Sequence, residues 1–215
     1  MVFIGGPGVH GQRAEFLARV SEHFETEIYG VGWDEWLPRY PKLRVKPPVK
    51  SPGFRHLCAT SRIVLGLNQV NNDALYFSNR TWLSLACRGF HLTHYVPGLE
   101  TVLEDGKHLA WYEDSAECLD KIDAYLKDAP AREQIAEAGC ALAHEQHQYY
   151  HRMARILDIV RGEATPSLGI ERDVAALMRN HGMNGHGGHN NGHANGHVAG
   201  HGHGHANGHA PRLST

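Results

Sequence analysis

Short apolar runs alternate with helically spaced apolar residues along the first 160 residues of the chain. The run Val2–Ile4 stops at two glycines, and apolar residues then recur at helical spacing over residues 16–24. Glu27–Tyr29 forms the next run before Gly30. The chain is therefore predicted to open as a strand, a helix and a second strand, with the two strands paired in parallel.

The alternation continues toward residue 161. We predict strands over residues 63–67, 90–93 and 108–112 and helices that begin near Ser51, Ser78, Asp114, Asp128 and Tyr149. Ser51 and Pro52 are an expected N-cap and first helical residue, and Asp114 with Glu117 has the spacing of a capping box. Strands that alternate with helices predict an α/β fold, a three-layer, doubly wound parallel sheet of the Rossmann-like type.

A change in composition near Gly162 predicts one folded domain, residues 1–162, followed by a linker and tail, residues 163–215. From residue 180 the chain consists almost wholly of His, Gly, Asn and Ala, which offers little apolar surface to offset the entropy of ordering, so we expect disorder. In this tail His201, His203 and His205 alternate with glycine. Imidazoles on a flexible chain bind Zn²⁺, Ni²⁺ or Cu²⁺, and we expect such binding to be adventitious.

Charge and cysteine content exclude several classes of protein. The 21 lysines and arginines nearly balance the 23 aspartates and glutamates, so no basic field is available for nucleic acid. The four cysteines form no C-x-x-C pair, which favours buried thiols in a reducing compartment. Residues 1–4 lead directly into glycines without a basic segment or an apolar span, so we expect a cytoplasmic protein that does not cross a membrane.

The first turn is the main candidate for a phosphate site. Gly6, Gly8 and Gly11 form a G-x-G-x-x-G pattern between a strand and a helix, where backbone N–H groups can face a diphosphate. Arg13 follows in the helix and could contact the same phosphates, although a solvated arginine is the commoner case. NAD binding would need an acidic residue at the end of the second strand, but that strand ends at Gly30. A tight turn that binds nothing remains the alternative.

A second candidate site precedes the third predicted helix. Asn79, Arg80 and Thr81 lie beyond the strand of residues 63–67, at the sheet edge where open α/β sheets bind ligands. Ordinary capping of the helix by Ser78 or Asn79 is the alternative and is compatible with binding. Two tryptophans in a glycine-bounded loop, Trp33 and Trp36, could stack on a base or sugar, or else anchor the loop in the core.

Several blocks of sequence resemble one enzyme family. Residues 78–93, 98–100, 104–112 and 128–157 are similar to the spore-maturation-protein-like glycosyltransferases, a group with the GT-B fold. Residues 3–5, 13–17 and 29–30 resemble the start of that family's second domain. The resemblance implies a C-terminal donor-binding domain that needs no cofactor and binds a nucleoside-diphosphate sugar. It implies contacts to the donor from Gly6, Gly8, Arg13 and Gly30 and from Asn79, Arg80 and Thr81.

This sequence departs from the pattern of that family in two respects. Many relatives carry a glutamate that can accept hydrogen bonds from the donor ribose, and Leu83 stands in that place, while Leu75 stands where the wider superfamily has a second acid. The acceptor-binding N-terminal domain of a GT-B enzyme is not in this sequence, so we expect a separate domain or subunit to supply it. No catalytic residue can be named. The hypotheses are sugar transfer, nucleotide-sugar binding without transfer, and an NAD-dependent oxidoreductase.

Overall fold

A six-stranded parallel sheet forms the centre of the computed structural model, which describes residues 1–163. The strands are β1 Val2–Ile4, β2 Glu27–Tyr29, β3 Arg44–Lys46, β4 Val64–Gly66, β5 His91–His94 and β6 Ala110–Tyr112. The helices are α1 Gln12–His23, α2 Ser51–Thr60, α3 Arg80–Ala86, α4 Ser115–Lys127, α5 Ala129–Gln146 and α6 Tyr149–Val160. Short 3₁₀ turns occupy Val9–Gly11 and Leu99–Thr101.

The strand order is β3-β2-β1-β4-β5-β6, and each neighbouring pair is parallel. The chain thus winds outward from β1 to β3, returns to the centre at β4, and winds outward again to β6. This order confirms the predicted doubly wound sheet. It also places the topological switch point, where ligands bind in open α/β sheets, between β1 and β4.

Helices cover both faces of the sheet because successive residues of a strand point to opposite sides. Phe3 of β1 and Leu65 of β4 belong to a core cluster with α1 and α4. Their neighbours Val2 and Val64 belong to a second cluster with Cys58 of α2. The sheet is therefore buried on both faces, which is why the central strands lack a polar side and read as continuous apolar runs in the sequence.

Strand β3 is an element that the hydrophobic pattern does not predict. It consists of Arg44, Val45 and Lys46, pairs with β2 alone, and lies at the edge of the sheet. The side chain of Val45 packs against the core while both neighbours are exposed. A strand with one half-buried apolar residue between two charges gives almost no periodic signal.

Two helix starts differ in detail from the prediction. At α2 the N-cap is Lys50 rather than Ser51, so Ser51 and Pro52 are the first and second helical residues. Proline fits either position because neither N–H has a partner within the helix. At α4 the Asp114 side chain accepts from the N–H groups of Ala116 and Glu117, as predicted for an N-cap. The Glu117 side chain accepts from the N–H of Glu113, one residue before the cap.

The cysteines are expected to be buried thiols rather than disulfides. All four cysteines are free; Cys58 and Cys118 are buried, while Cys87 and Cys140 are partly buried. Burial raises the pKa of the Cys58 and Cys118 thiols to about 12, so both are protonated at neutral pH.

Among the helices of residues 1–163, none has the length and apolar character required to cross a bilayer.

Candidate functional site

The loops that follow β1 and β4 meet at the switch point. Gly5 to Gly8 leave β1 and enter α1 through the 3₁₀ turn, while residues 67–79 connect β4 to α3. Because the strands are parallel, both loops lie at the carboxyl edge of the sheet. The two candidate sites of the sequence are therefore parts of a single region.

Close approach of the backbone explains the glycines of this region. A Cβ atom on Gly30 would lie 2.2 Å from the carbonyl oxygen of Gly5, so the end of β2 can meet the turn only through a glycine. Gly8 has φ of 81°, a conformation that other residues rarely adopt. These glycines have a structural reason to be present, whether or not their N–H groups contact a ligand.

Arg13 reaches back from the first turn of α1 over the glycine turn. Its Nη1 lies 3.5 Å from the carbonyl oxygen of Gly6, at the limit of a hydrogen bond, and its Nε is buried with no partner among the described residues. Burial, and secondarily the charge of Arg80, lowers the pKa of the guanidinium. Arg13 thus holds a partly desolvated charge with unused hydrogen-bonding capacity.

Arg80, the first residue of α3, crosses from the β4 side of the region to the β1 side. Its Nη1 donates to the carbonyl oxygen of Ile4 at 2.7 Å, and its Nε donates to Ser78 Oγ at 3.2 Å. Burial lowers the pKa of this guanidinium as well. The two bonds fix the guanidinium beside the glycine turn and, within residues 1–163, leave its Nη2 group available.

Both arginines line one cavity of about 270 Å³. The other lining residues are Asn68, Gln69, Tyr76, Phe77 and Ser78. No carboxylate of the described residues belongs to this lining, so the two guanidinium charges repel each other without a compensating anion in the cavity wall. Guanidinium groups bind phosphate and carboxylate through paired hydrogen bonds. The chemistry of this cavity therefore suits an anionic ligand.

Asn79 and Thr81 point in different directions from the same turn. Asn79 Nδ2 donates to the hydroxyl of Tyr149 on α6 at 3.0 Å, in an exposed position. Thr81 is buried, with its Oγ1 3.3 Å from His91 Nε2. Its N–H donates to Ser78 O. The structure thus leaves Asn79 at the surface beside Arg80 and directs the Thr81 hydroxyl into the core.

His91 is a buried polar residue beneath α3. The Ser84 hydroxyl donates to Thr81 O at 3.0 Å, so His91 Nδ1, 2.8 Å from Ser84 Oγ, must be the donor to that oxygen. His91 Nε2 then accepts from the Thr81 hydroxyl. Burial, with a smaller contribution from Arg80, lowers the pKa of His91 to about 4, so the ring is neutral. It anchors α3 to β5.

Trp33 and Trp36 pack in or against the main core. Trp33 is buried in the main core, and its Nε1 donates to Gly5 O at 3.0 Å. The ring of Trp36 fills the space beside Gly11, where an added Cβ would lie 2.1 Å from it. The structure therefore favours the loop-anchor interpretation for both residues, because Trp33 lies within the core and Trp36 packs against it.

Asn68, Tyr76 and His91 are residues of this region that the sequence does not single out. Asn68 lies two residues after the end of β4, which is the one usable signal, because ligand-binding side chains often follow a strand at the switch point. Tyr76 and His91 join the region only through tertiary packing.

Residues 1–163 contain no group of three His, Cys, Asp or Glu able to hold a metal ion. His201, His203 and His205 lie outside the described residues.

Comparisons with known proteins agree with the fold. A family model described as glycosyl transferase-like matches residues 12–158. HepE of Anabaena, solved in complex with UDP and glucose, is 14% identical over 75% of this chain and 48% of its own, with a TM-score of 0.58. A glycosyltransferase of Rickettsia africae is 12% identical over 77% of this chain and 48% of its own, also with a TM-score of 0.58.

Sucrose-phosphate synthase of Thermosynechococcus elongatus is 11% identical over 75% of this chain and 46% of its own, with a TM-score of 0.57. The chain thus spans about half the length of these structures. No curated protein matches the sequence significantly. The likenesses confirm the predicted Rossmann-like fold of the GT-B type.

Proposed function

The chain belongs to the glycosyl transferase-like family, and we propose from this premise that its carboxyl-edge cavity binds the diphosphate of a nucleoside-diphosphate sugar whose sugar is transferred to an acceptor. The observation that carries the proposal is the pair Arg13 and Arg80 in one cavity whose described lining lacks a carboxylate. The resemblance of residues 78–93 supports the spore-maturation-protein-like branch of the family.

A diphosphate would satisfy both guanidinium groups. Arg13 lines the cavity and Arg80 offers its Nη2, and each charge-assisted hydrogen bond contributes roughly 1.5–3 kcal/mol. The loop of Gly6 and Gly8 leads through the 3₁₀ turn into α1, whose first N–H groups carry partial positive charge. The exposed amide of Asn79, beside Arg80, is our candidate contact to the nucleoside or sugar.

These residues would promote transfer by stabilising the leaving group. The bond between the anomeric carbon and the diphosphate oxygen breaks, the acceptor oxygen bonds to that carbon, and the acceptor proton is released. Negative charge grows on the departing diphosphate, where two fixed guanidinium groups lower the energy of the transition state. We propose that another domain or subunit binds the acceptor, since the chain spans about half of each related structure.

Binding without transfer is the second candidate function, and Leu83 favours it. This side chain is 41% exposed on α3, in the place where the resemblance implies a ribose-binding glutamate. A leucine accepts no hydrogen bond from a ribose. Activity and binding must therefore be measured separately.

Calorimetric titration of the full chain with UDP, GDP and uridine tests the proposed binding. We use UDP as the first probe because the HepE structure contains it. Either diphosphate should bind at least tenfold more tightly than uridine, and NADH should not bind. Equal affinity for UDP and uridine, or binding of NADH alone, would overturn the proposal. A radiolabelled UDP-glucose hydrolysis assay then separates the enzyme from the binding module.

A further inference from the structure

A second cavity with basic walls lies at the amino edge of the sheet. Its volume is about 230 Å³. Arg62 precedes β4 and Phe90 precedes β5, and the first residues of parallel strands meet at one edge of a sheet. The proposed donor cavity lies at the other edge. The lining of the second cavity includes three arginines and a serine, which are Arg62, Arg88, Arg132 and Ser61.

Arg132 of α5 supplies a buried charge to this cavity. It is 7% exposed and is the only permanently charged residue that is buried among residues 1–163. Its Nη1 donates to the carbonyl oxygen of Tyr125, and within the same part of the chain it forms no ion pair. A guanidinium carries five N–H donors, and a buried charge normally has a partner of opposite sign. An anion in the cavity would supply that partner.

Arg62 adds a second charge and Arg88 a third. Arg62 is exposed and forms no ion pair with any described residue. Arg88 is already paired, since its Nη2 lies 2.5 Å from Glu137 Oε2 and 3.8 Å from Glu133 Oε2. With both glutamates counted, three positive charges stand against two negative ones. The cavity therefore keeps a net positive charge, which belongs to the two arginines that lack a carboxylate.

We propose that this cavity binds a phosphate group, either inorganic phosphate or the phosphate of a sugar phosphate. Phosphate oxygens accept paired hydrogen bonds from guanidinium groups. A phosphate monoester carries about −1.5 to −2 charges at neutral pH, which matches the two arginines without a carboxylate, Arg62 and Arg132. The volume exceeds the roughly 30 Å³ of one water molecule but is below the roughly 300–1,000 Å³ of pockets for drug-sized ligands. The ligand is therefore small.

Amide NMR spectroscopy of the full chain tests the site, with sodium phosphate titrated against sodium chloride of equal ionic strength. Phosphate should produce saturable shifts at residues 59–62, 88–90 and 132–136, and chloride should not. Shifts that do not saturate, or that are confined to the loops of residues 5–8 and 67–79, would overturn the proposal. Glucose 6-phosphate distinguishes the two sources: tighter binding than inorganic phosphate assigns the cavity to a phosphate ester, and weaker binding assigns it to the free ion.

Arg62→Ala should weaken phosphate binding by about tenfold or more, because it removes a charged hydrogen-bond donor. Arg55→Ala is the matched control, since Arg55 is an exposed arginine on α2 outside the lining, and it should bind phosphate as the wild type does. Arg132→Gln should weaken binding as well, but it also disturbs the contact with Tyr125, so Arg62→Ala is the decisive variant. Circular dichroism checks that each variant is folded. Unchanged affinity in Arg62→Ala, or equal losses in Arg62→Ala and Arg55→Ala, would contradict the proposed site.

Discussion

The guanidinium of Arg80 donates a 2.7 Å hydrogen bond to the carbonyl oxygen of Ile4 and thereby joins the start of α3 to the end of β1. The two residues are 76 positions apart in the chain. Their contact spans the topological switch point, so the same group that closes the crevice between the two halves of the sheet also offers a charge to a ligand in it.

Arg80→Ala should weaken UDP binding by about ten- to a hundredfold, because the loss of one charge-assisted hydrogen bond costs roughly 1.5–3 kcal/mol. Isothermal titration gives the affinity, and thermal unfolding gives the effect on the fold. Arg44→Ala is the matched control, since Arg44 pairs with Glu25 at the surface. Unchanged affinity together with a lowered thermal midpoint would make Arg80 a purely structural residue.

Gly30→Ala should destabilise the fold by about 1–3 kcal/mol, since overpacking displaces backbone here rather than a flexible side chain. The added Cβ would lie 2.2 Å from Gly5 O, whereas a Cβ on Gly6 has its nearest neighbour, Val31 O, at 3.4 Å. Gly6→Ala in the same region is therefore the control, and we expect little change in its stability. Urea unfolding measures both variants. Equal stability of the two would mean that the turn can shift at no cost.

The stability of the domain should fall in acid partly because of His91. In the unfolded chain His91 takes up a proton near pH 6.5, but in the fold its pKa is about 4. Between these values the unfolded state binds more protons, so the free energy of unfolding decreases as the pH is lowered from about 6.5 toward 4, by roughly 3 kcal/mol. His91→Gln should be less stable at pH 7 and lose less on acidification. Parallel slopes for wild type and variant would refute this.

A chain ending at Gly162 should fold and keep the nucleotide affinity of the full chain but lose retention on a nickel column. The reason is chemical: the proposed donor contacts lie within residues 1–162, while His201, His203 and His205 belong to the removed segment. Retention of the full chain should fade as the pH falls through about 6.5, because protons displace the metal. Loss of nucleotide binding on truncation would show that the removed segment contributes to the site.

The central strands and the long helices could be predicted because their signals are local. β1 and β4 are apolar runs, and α4 begins at an aspartate that caps it. The switch-point rule also predicts, from sequence order alone, that Arg80 lies at the carboxyl edge of the sheet. β3 gives no comparable signal, since its only apolar residue lies between two charges on an edge strand.

The arrangement within the site depends on contacts that sequence spacing does not encode. Arg13 and Arg80 belong to different βα units, and their common cavity follows from the order of strands β1 and β4. Thr81 faces His91 because the first turn of α3 packs over β5. The hydrogen bond from Asn79 to Tyr149 likewise depends on the angle at which α6 leaves α5.

The charged edge strand β3 has a consequence for solubility. An edge strand presents unpaired N–H and C=O groups that can recruit a strand from another molecule. Here the edge is only three residues long, and Arg44, paired with Glu25, and Lys46 flank the single valine, so an incoming strand would meet charged side chains and little apolar surface. Lysine and arginine on an edge are a recognised defence against aggregation. Arg44 and Lys46 thus remove the apolar periodicity of β3 and also disfavour the addition of a strand from another molecule at this edge.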